Sequence, residues 1–247
     1  DEELGAETLG EEGCSVNTLA PLEVGALSPE AMVDSVYGVS KDVLKGESIP
    51  VLLGGEHSVT LGLVKALIEK HDEVSVLQLD AHADLRESYG GSSLSHACVM
   101  RRVAELAPVT QVGIRSLCKE EADFLSSEDA SAKKINTFFA KDHLSECGSL
   151  TEETIEKISS KLGKKVYITI DTDAFDPSVM PSTGTPEPGG FTWYGVLALL
   201  REVCRRKSVV GFDVVELSPI KDMVAPDFMA AKLVYKLMGY IAASKNE

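Results

Sequence analysis

A chain of 247 residues with 44% hydrophobic and 26% charged side chains is long enough to bury a large core and too apolar to be disordered or fibrous. Its formal net charge of −15 argues against nucleic acid as a partner and favours a cationic one. Five cysteines, with no CxxC pair, fit a reduced cytoplasmic compartment better than a disulfide framework or a zinc ribbon.

Residues 1–12 lack the basic and apolar regions of a signal peptide, and no apolar run approaches the ~20 residues that cross a membrane. Residues 1–29 show no steady period and read as loop, with room for a short strand. Met32, Val36, Val39 and Val43 recur at helical spacing and predict a helix over 29–45. A brief apolar strand at 50–53 ends in Gly54, Gly55, Glu56, His57 and Ser58. Ser58 is placed to cap the next helix, 60–70. The β-branched run 74–79 reads as a strand buried on both faces, and it stops abruptly at Asp80, Ala81, His82, Ala83 and Asp84.

A Gly/Ser-rich loop at 90–95 feeds a helix over 95–106. A strand follows at 109–114, a short helix at 119–126 and a strand at 135–139. Residues 150–162 read as a helix, with Ser149 and Glu152 at the spacing of a capping box. The strand 166–170 meets Asp171, Thr172 and Asp173, and a Pro/Gly/Thr loop runs over 178–190. The chain closes with a helix over 192–204, a strand over 209–215 ending at Glu216, and a helix over 226–243. Strand and helix alternate throughout, which predicts one α/β domain with a central parallel sheet covered by helices on both faces.

Asp80, His82 and Asp84 project together only from an extended backbone. At the C-terminal end of a parallel strand they would face the crevice where such sheets bind ligands. Asp171 and Asp173 repeat that spacing after another strand, and His57 sits at the end of a third. Two readings stand open from the residues alone: solvated turns and helix caps, or a cation site. Six O/N donors with no thiolate exceed one tetrahedral zinc and suit a pair of harder ions, Mn²⁺ first. Two such ions would balance four carboxylates and lower the pKa of a bound water. His71 and His143 lie in charged surroundings and read as surface residues.

Taken together, GGEHS (54–58), DAHAD (80–84), DTDAFDP (171–177) and TGTPEPGG (183–190) resemble the ureohydrolases, the arginase and agmatinase family. The likeness runs in order from about residue 49 to the C-terminus and is nearest to archaeal-type agmatinases, which favour Glu56 where many relatives have Asp. It implies a three-layer α/β/α arginase-like fold and two Mn²⁺ per chain. His57 and Asp84 would bind one ion, His82 and Asp173 the other, with Asp80 and Asp171 bridging. By the same likeness His96 would shuttle protons to the leaving amine and Glu216 would clasp the substrate guanidinium. As isolated residues, His96 also admits reading as a helix cap and Glu216 as a solvated strand end.

The resemblance further implies a small cationic guanidino substrate and a homo-oligomer, a trimer or hexamer. Agmatine is expected before arginine, because Arg86 and Leu94 stand where arginases carry Asn. A non-catalytic, metal-binding relative is the alternative of another class. The family's early strand segment is not visible before Asp1, so the 247 residues are expected to form one domain lacking it. Thr169 stands where most relatives have Ser, outside the expected ligand set.

Overall fold

The computed structural model describes residues 1–5, 7–10, 14–23 and 27–244. The first elements are α1 (Pro29–Val43), β1 (Val51–Leu53), α2 (Thr60–Lys70), β2 (Val74–Leu79) and α3 (Val99–Val103). They are followed by β3 (Val109–Ile114), α4 (Lys119–Leu125), α5 (Glu128–Ala132), β4 (Ile135–Phe139) and α6 (Ala140–His143). The last are α7 (Glu152–Lys161), β5 (Lys165–Asp171), α8 (Trp193–Arg206), β6 (Ser208–Val215) and α9 (Ala225–Ser244). Part of the loop expected over 1–29 lies outside the described residues; its described part carries an isolated bridge between Leu9 and Cys14.

All six strands are parallel, in the order β1-β6-β5-β2-β3-β4. Alternation along each strand divides the core into two layers. Leu77, Leu79, Val166, Ile168, Ile170, Phe212 and Val214 face α7, α8 and α9. Val74, Val76, Tyr167, Val210 and Val215 face the layer built from α1 to α5. The result is the three-layer α/β/α sandwich that the strand–helix alternation predicts. Among the described residues no helix is long and apolar enough to cross a membrane.

Three local expectations are corrected. Ser58 does not cap α2: the chain enters that helix through a 3-10 turn, His57–Val59, whose carbonyls already take the first N–H groups. The cap of α7 is Thr151, whose hydroxyl accepts from Thr154 N at 3.2 Å, rather than Ser149. Ser149 and Gly148 are drawn away to Thr192, whose N–H donates to the Gly148 carbonyl at 3.0 Å. The helix expected over 95–106 is a 3-10 turn, His96–Cys98, followed by the short α3. There the Asp84 carbonyl accepts both Met100 N at 3.0 Å and Arg101 N at 3.1 Å, which pins the start of α3 to the end of the acidic stretch.

The strand order reverses between β2 and β5, which lie side by side. β1 reaches the same edge of the sheet beside β6. The C-terminal ends of these strands therefore open on one crevice. On the face opposite α7 to α9, α1 and α2 approach closely at Gly62. A Cβ there would lie 2.6 Å from the Val33 carbonyl oxygen and 2.8 Å from Val36 Cβ. Gly62→Ala is expected to destabilise the protein by about 1–3 kcal/mol through overpacking. Urea unfolding checks it: an unchanged midpoint would mean that the two helices separate without strain.

Candidate metal centre

Each of the three strand ends delivers its residues by a different local device. β1 turns through Gly54 and Gly55 into the 3-10 turn that carries His57. After β2, the Asp80 carboxylate accepts from His82 N at 2.6 Å, an Asx turn that directs Asp80 and His82 to the same side. After β5, Asp171 repeats the device on Asp173 N at 2.8 Å. Asp173 then accepts from Ala81 N at 3.0 Å, joining the β5 end to the β2 end.

These turns bring together all six expected ligands. His57 Nδ1 lies 3.1 Å from Asp80 Oδ2, 3.1 Å from Asp84 Oδ2 and 3.5 Å from Asp171 Oδ2. His82 Nδ1 lies 2.9 Å from Asp173 Oδ2 and 3.7 Å from Asp80 Oδ1. Two overlapping donor sets result, His57/Asp80/Asp84 and Asp80/His82/Asp173, with Asp80 common to both. Asp171 stands beside the first set.

The electrostatics explain why such a cluster calls for a cation. Burial, then the charges of Asp80 and Asp173, push the Asp171 carboxyl well above its ordinary pKa. Burial and Asp80 raise Asp84 to about 7. Burial opposes a charged His57, yet the carboxylates of Asp171, Asp80 and Asp84 outweigh it and hold its pKa well above the usual range. Burial likewise opposes a charged His82, and Asp173 and Asp80 lift it to about 11. Protons here stand in for missing positive charge.

The His57 ring shows what kind of charge fits. Its Nε2 meets Thr169 Oγ1 at 2.9 Å. Its Nδ1 is buried and has no directional hydrogen bond, despite its nearness to three carboxylates. An unprotonated Nδ1 aimed among carboxylates is repulsive, so the position is filled either by a proton, as the raised pKa shows, or by a cation lying between them. All-O/N donors favour a hard divalent ion, and the residues present fit one.

Support comes from outside the expected ligands. Gln78 Nε2 donates to Asp80 Oδ2 at 2.7 Å, Gln111 Nε2 to Gln78 Oε1 at 2.6 Å and Thr137 Oγ1 to Gln111 Oε1 at 2.9 Å. These three are register partners on β2, β3 and β4, so one row of the sheet braces Asp80 from within. On the other side Asp213 is fully buried and accepts from Thr60 Oγ1 at 2.6 Å and from the Tyr167 hydroxyl. Thr169, outside both donor sets as the sequence had it, joins His57 to the Asp213 cluster. The signal for Gln78, Gln111, Thr169 and Asp213 was a polar residue inside a buried strand.

Two further residues lie at the rim. Glu216 ends β6 with φ 61°, in the left-handed region, and its Oε1 accepts from His57 N at 2.7 Å. Burial raises its pKa. Asp84 is also left-handed, at φ 54°. Strain of this kind costs roughly 1–3 kcal/mol and persists where the surroundings hold it. His96 is half exposed, with its backbone N–H on Glu56 Oε2 at 3.1 Å and Nδ1 3.3 Å from the same oxygen. Glu56 first, with Asp84 and Glu216 beyond it, raises the His96 pKa above the ordinary imidazole value. His96 and Glu216 are thus held by their own partners and lie outside both donor sets.

Comparison with known proteins gives a consistent picture. A family model described as the arginase family matches residues 2–239. An N(1)-aminopropylagmatine ureohydrolase of Synechocystis is 41% identical over 100% of this chain and 79% of its own length. An agmatinase of Pyrococcus horikoshii is 39% identical over 79% of this chain and 64% of its own. Among solved structures, the agmatine ureohydrolase of Thermoplasma volcanium superimposes with a TM-score of 0.76 at 35% identity, over 89% of this chain and 71% of that one.

The bond from His57 to Thr169 makes the ring's orientation testable. Thr169→Val removes the acceptor at nearly constant volume and is expected to weaken divalent-ion binding by about 10–100-fold, the usual effect of losing such a partner. Thr169→Ser should retain most of the affinity. Equilibrium dialysis against Mn²⁺ checks both; equal binding by the Val variant would show that the ring needs no such partner.

Proposed function

The chain belongs to the arginase family, a ureohydrolase cleaving C–N bonds of linear amidines, and we propose that its substrate is an amine of the agmatine type, bound beside two Mn²⁺ ions. The observation that carries this reading is the pair of donor sets sharing Asp80. His57 and Asp84 would hold one ion and His82 and Asp173 the other, with Asp80, common to both sets, and Asp171 beside them as the remaining carboxylates. The ions, when bound, supply a water acidified toward hydroxide and stabilise developing negative charge.

The remaining chemistry falls to side chains. Glu216 receives two parallel N–H groups of the planar guanidinium, and its anchorage on His57 N sets that cation against the ligand cluster. Water adds to the guanidinium carbon, the C–N bond to the alkylamine breaks, and urea forms. His96 gives the leaving nitrogen its proton, and the pull of Glu56 keeps that imidazole charged more readily than a free one. His96→Ala is expected to lower kcat by about 10²–10⁴-fold with bound metal unchanged. Turnover equal to the parent would leave His96 as a member of the 3-10 turn alone.

The substrate class follows from the two positions, 86 and 94, where arginases carry Asn. Arginine brings an α-carboxylate whose burial without a partner costs roughly 1–3 kcal/mol. Leu94 cannot hydrogen-bond it. Arg86 is engaged elsewhere, with Nε 4.0 Å from Glu121 Oε2 and its guanidinium 5.2 Å from the centre of the Tyr89 ring. An amine without that carboxylate has no such cost, and relatives named for N(1)-aminopropylagmatine and for agmatine support the same class. The aminopropyl derivative is placed before agmatine, because the Synechocystis relative matched over the whole of this chain is named for it.

The test is urea release across N(1)-aminopropylagmatine, agmatine and arginine, with Mn²⁺ and after chelation. Both amines are expected to exceed arginine by at least ~10-fold in kcat/KM, the worth of one modest interaction, and chelation should abolish all turnover. A preference for arginine would overturn the substrate class and leave the metal chemistry standing.

A further inference from the structure

Arg115 follows β3 and takes no part in the reaction as proposed, yet its guanidinium is more fully engaged than any other in the described structure. Nε donates to the carbonyls of Glu187 at 3.2 Å and Pro188 at 3.1 Å. Nη1 donates to Gly113 O at 3.1 Å and Ala174 O at 3.4 Å. Nη2 donates to Asp173 O at 2.7 Å, Phe175 O at 3.2 Å and Glu187 O at 2.7 Å. Three successive carbonyls, 173 to 175, and two from the loop after them are thus gathered on one rigid fork.

The backbone of the same residue reaches the other acidic stretch. Arg115 N and Ser116 N both donate to Ala81 O, at 2.8 and 2.9 Å. Ala81 N in turn donates to Asp173 Oδ1. The fork needs room, and Gly190 provides it. A Cβ on Gly190 would lie 2.6 Å from Arg115 Nη2, and Gly113 has φ 97° with Phe191 and the Asp80 carbonyl close by. Asp176 closes the loop from the other side, accepting from Gly189 N at 2.8 Å and Ser178 N at 3.0 Å.

We propose that Arg115 is a positioning residue for one of the two cation subsites: it fixes the Asp173 backbone, and with it the Asp80/His82/Asp173 set, without contact to the His57/Asp80/Asp84 set. The inference rests on the two-cation reading of the site. Its physical basis is directional. Five N–H donors in a plane can span carbonyls from two segments at once. A lysine has the charge, but its three donors sit on one nitrogen and cannot bridge them. Asp80, common to both sets, is braced separately by Gln78. Loss of the fork should therefore loosen one subsite selectively.

Arg115→Lys keeps the charge, and Arg115→Gln keeps planar donors without the reach; either suffices if the other fails to fold, as judged by circular dichroism and thermal melting of the metal-free protein. Mn²⁺ binding is followed by equilibrium dialysis and by electron paramagnetic resonance, with Asp173→Asn as the reference for loss of that subsite alone. The expected result matches the reference: one ion weakened by at least about 10-fold, the other within about twofold, and the spectrum of a spin-coupled pair replaced by that of an isolated ion. Two ions bound as in the parent, or both weakened alike, would overturn the proposal. A parent protein that binds fewer than two ions would overturn the two-cation reading itself, and the inference with it.

Discussion

Like charge brought together out of water is the constraint on which this structure turns. Two carboxylates about 4 Å apart repel by roughly 4 kcal/mol at an effective dielectric of 20, and here three of them surround one imidazole nitrogen at 3.1–3.5 Å. Left to a loop, such groups would turn outward to water. A parallel sheet prevents it: β2 and β5 are each fixed by neighbours on both sides, and β1 by β6. β5 and β2 are paired along their length, so Asp171 and Asp173 emerge beside Asp80 whether or not the charges agree. The repulsion is thus borne by backbone pairing and relieved by whatever positive charge enters.

The bracing runs sideways through the sheet rather than along the chain. Gln78, Gln111 and Thr137 form one row across three strands, ending on Asp80. Thr169, Thr60, Tyr167 and Asp213 form another behind His57. Each is a polar group that an apolar core would reject unless its hydrogen bonds were met. Asp213 is the extreme case, a carboxylate surrounded by hydroxyls with no cationic side chain bonded to it among the described residues; burial raises its pKa, and the charge of His57 is the first influence opposing that. The core on this side is therefore part of the site, and the apolar layer against α7 to α9 carries the packing.

This division decides what could be read from the residues. Strand positions, their parallel pairing and the six acidic and imidazole side chains were legible, since abrupt passage from a β-branched run to Asp-x-His-x-Asp is a local pattern. The ends of helices were less so. Thr151 rather than Ser149 caps α7 because Ser149 is claimed by Thr192, far away in the chain. The role of Thr169 was hidden for the same reason: its partner is an imidazole 112 residues distant. Arg115 was passed over entirely. A lone arginine at a strand end has no period and no motif, and the carbonyls that define its role belong to loops that meet it only in the folded chain.

The proposed substrate sharpens the electrostatic problem, because it is itself a cation approaching a site that holds metal ions. Two divalent ions balance four carboxylates and leave no net attraction for a guanidinium. The attraction must come from acids that the ions do not use, and two stand at the rim. Glu216 is forced into a left-handed turn that sends its carboxylate back over the His57 backbone. Glu56 lies beside His96 and favours its charged imidazole, the form that the proposed proton transfer to the leaving amine requires. One acid therefore faces the incoming cation and the other the departing one. The surplus of acidic side chains elsewhere acts only at range: beyond about 8 Å at physiological salt it raises the rate of encounter and little else. On the proposed reading, selectivity between guanidino compounds rests on the non-reacting end of the substrate, to which Leu94 has no hydrogen bond to offer while Arg86 is already turned toward Glu121 and Tyr89.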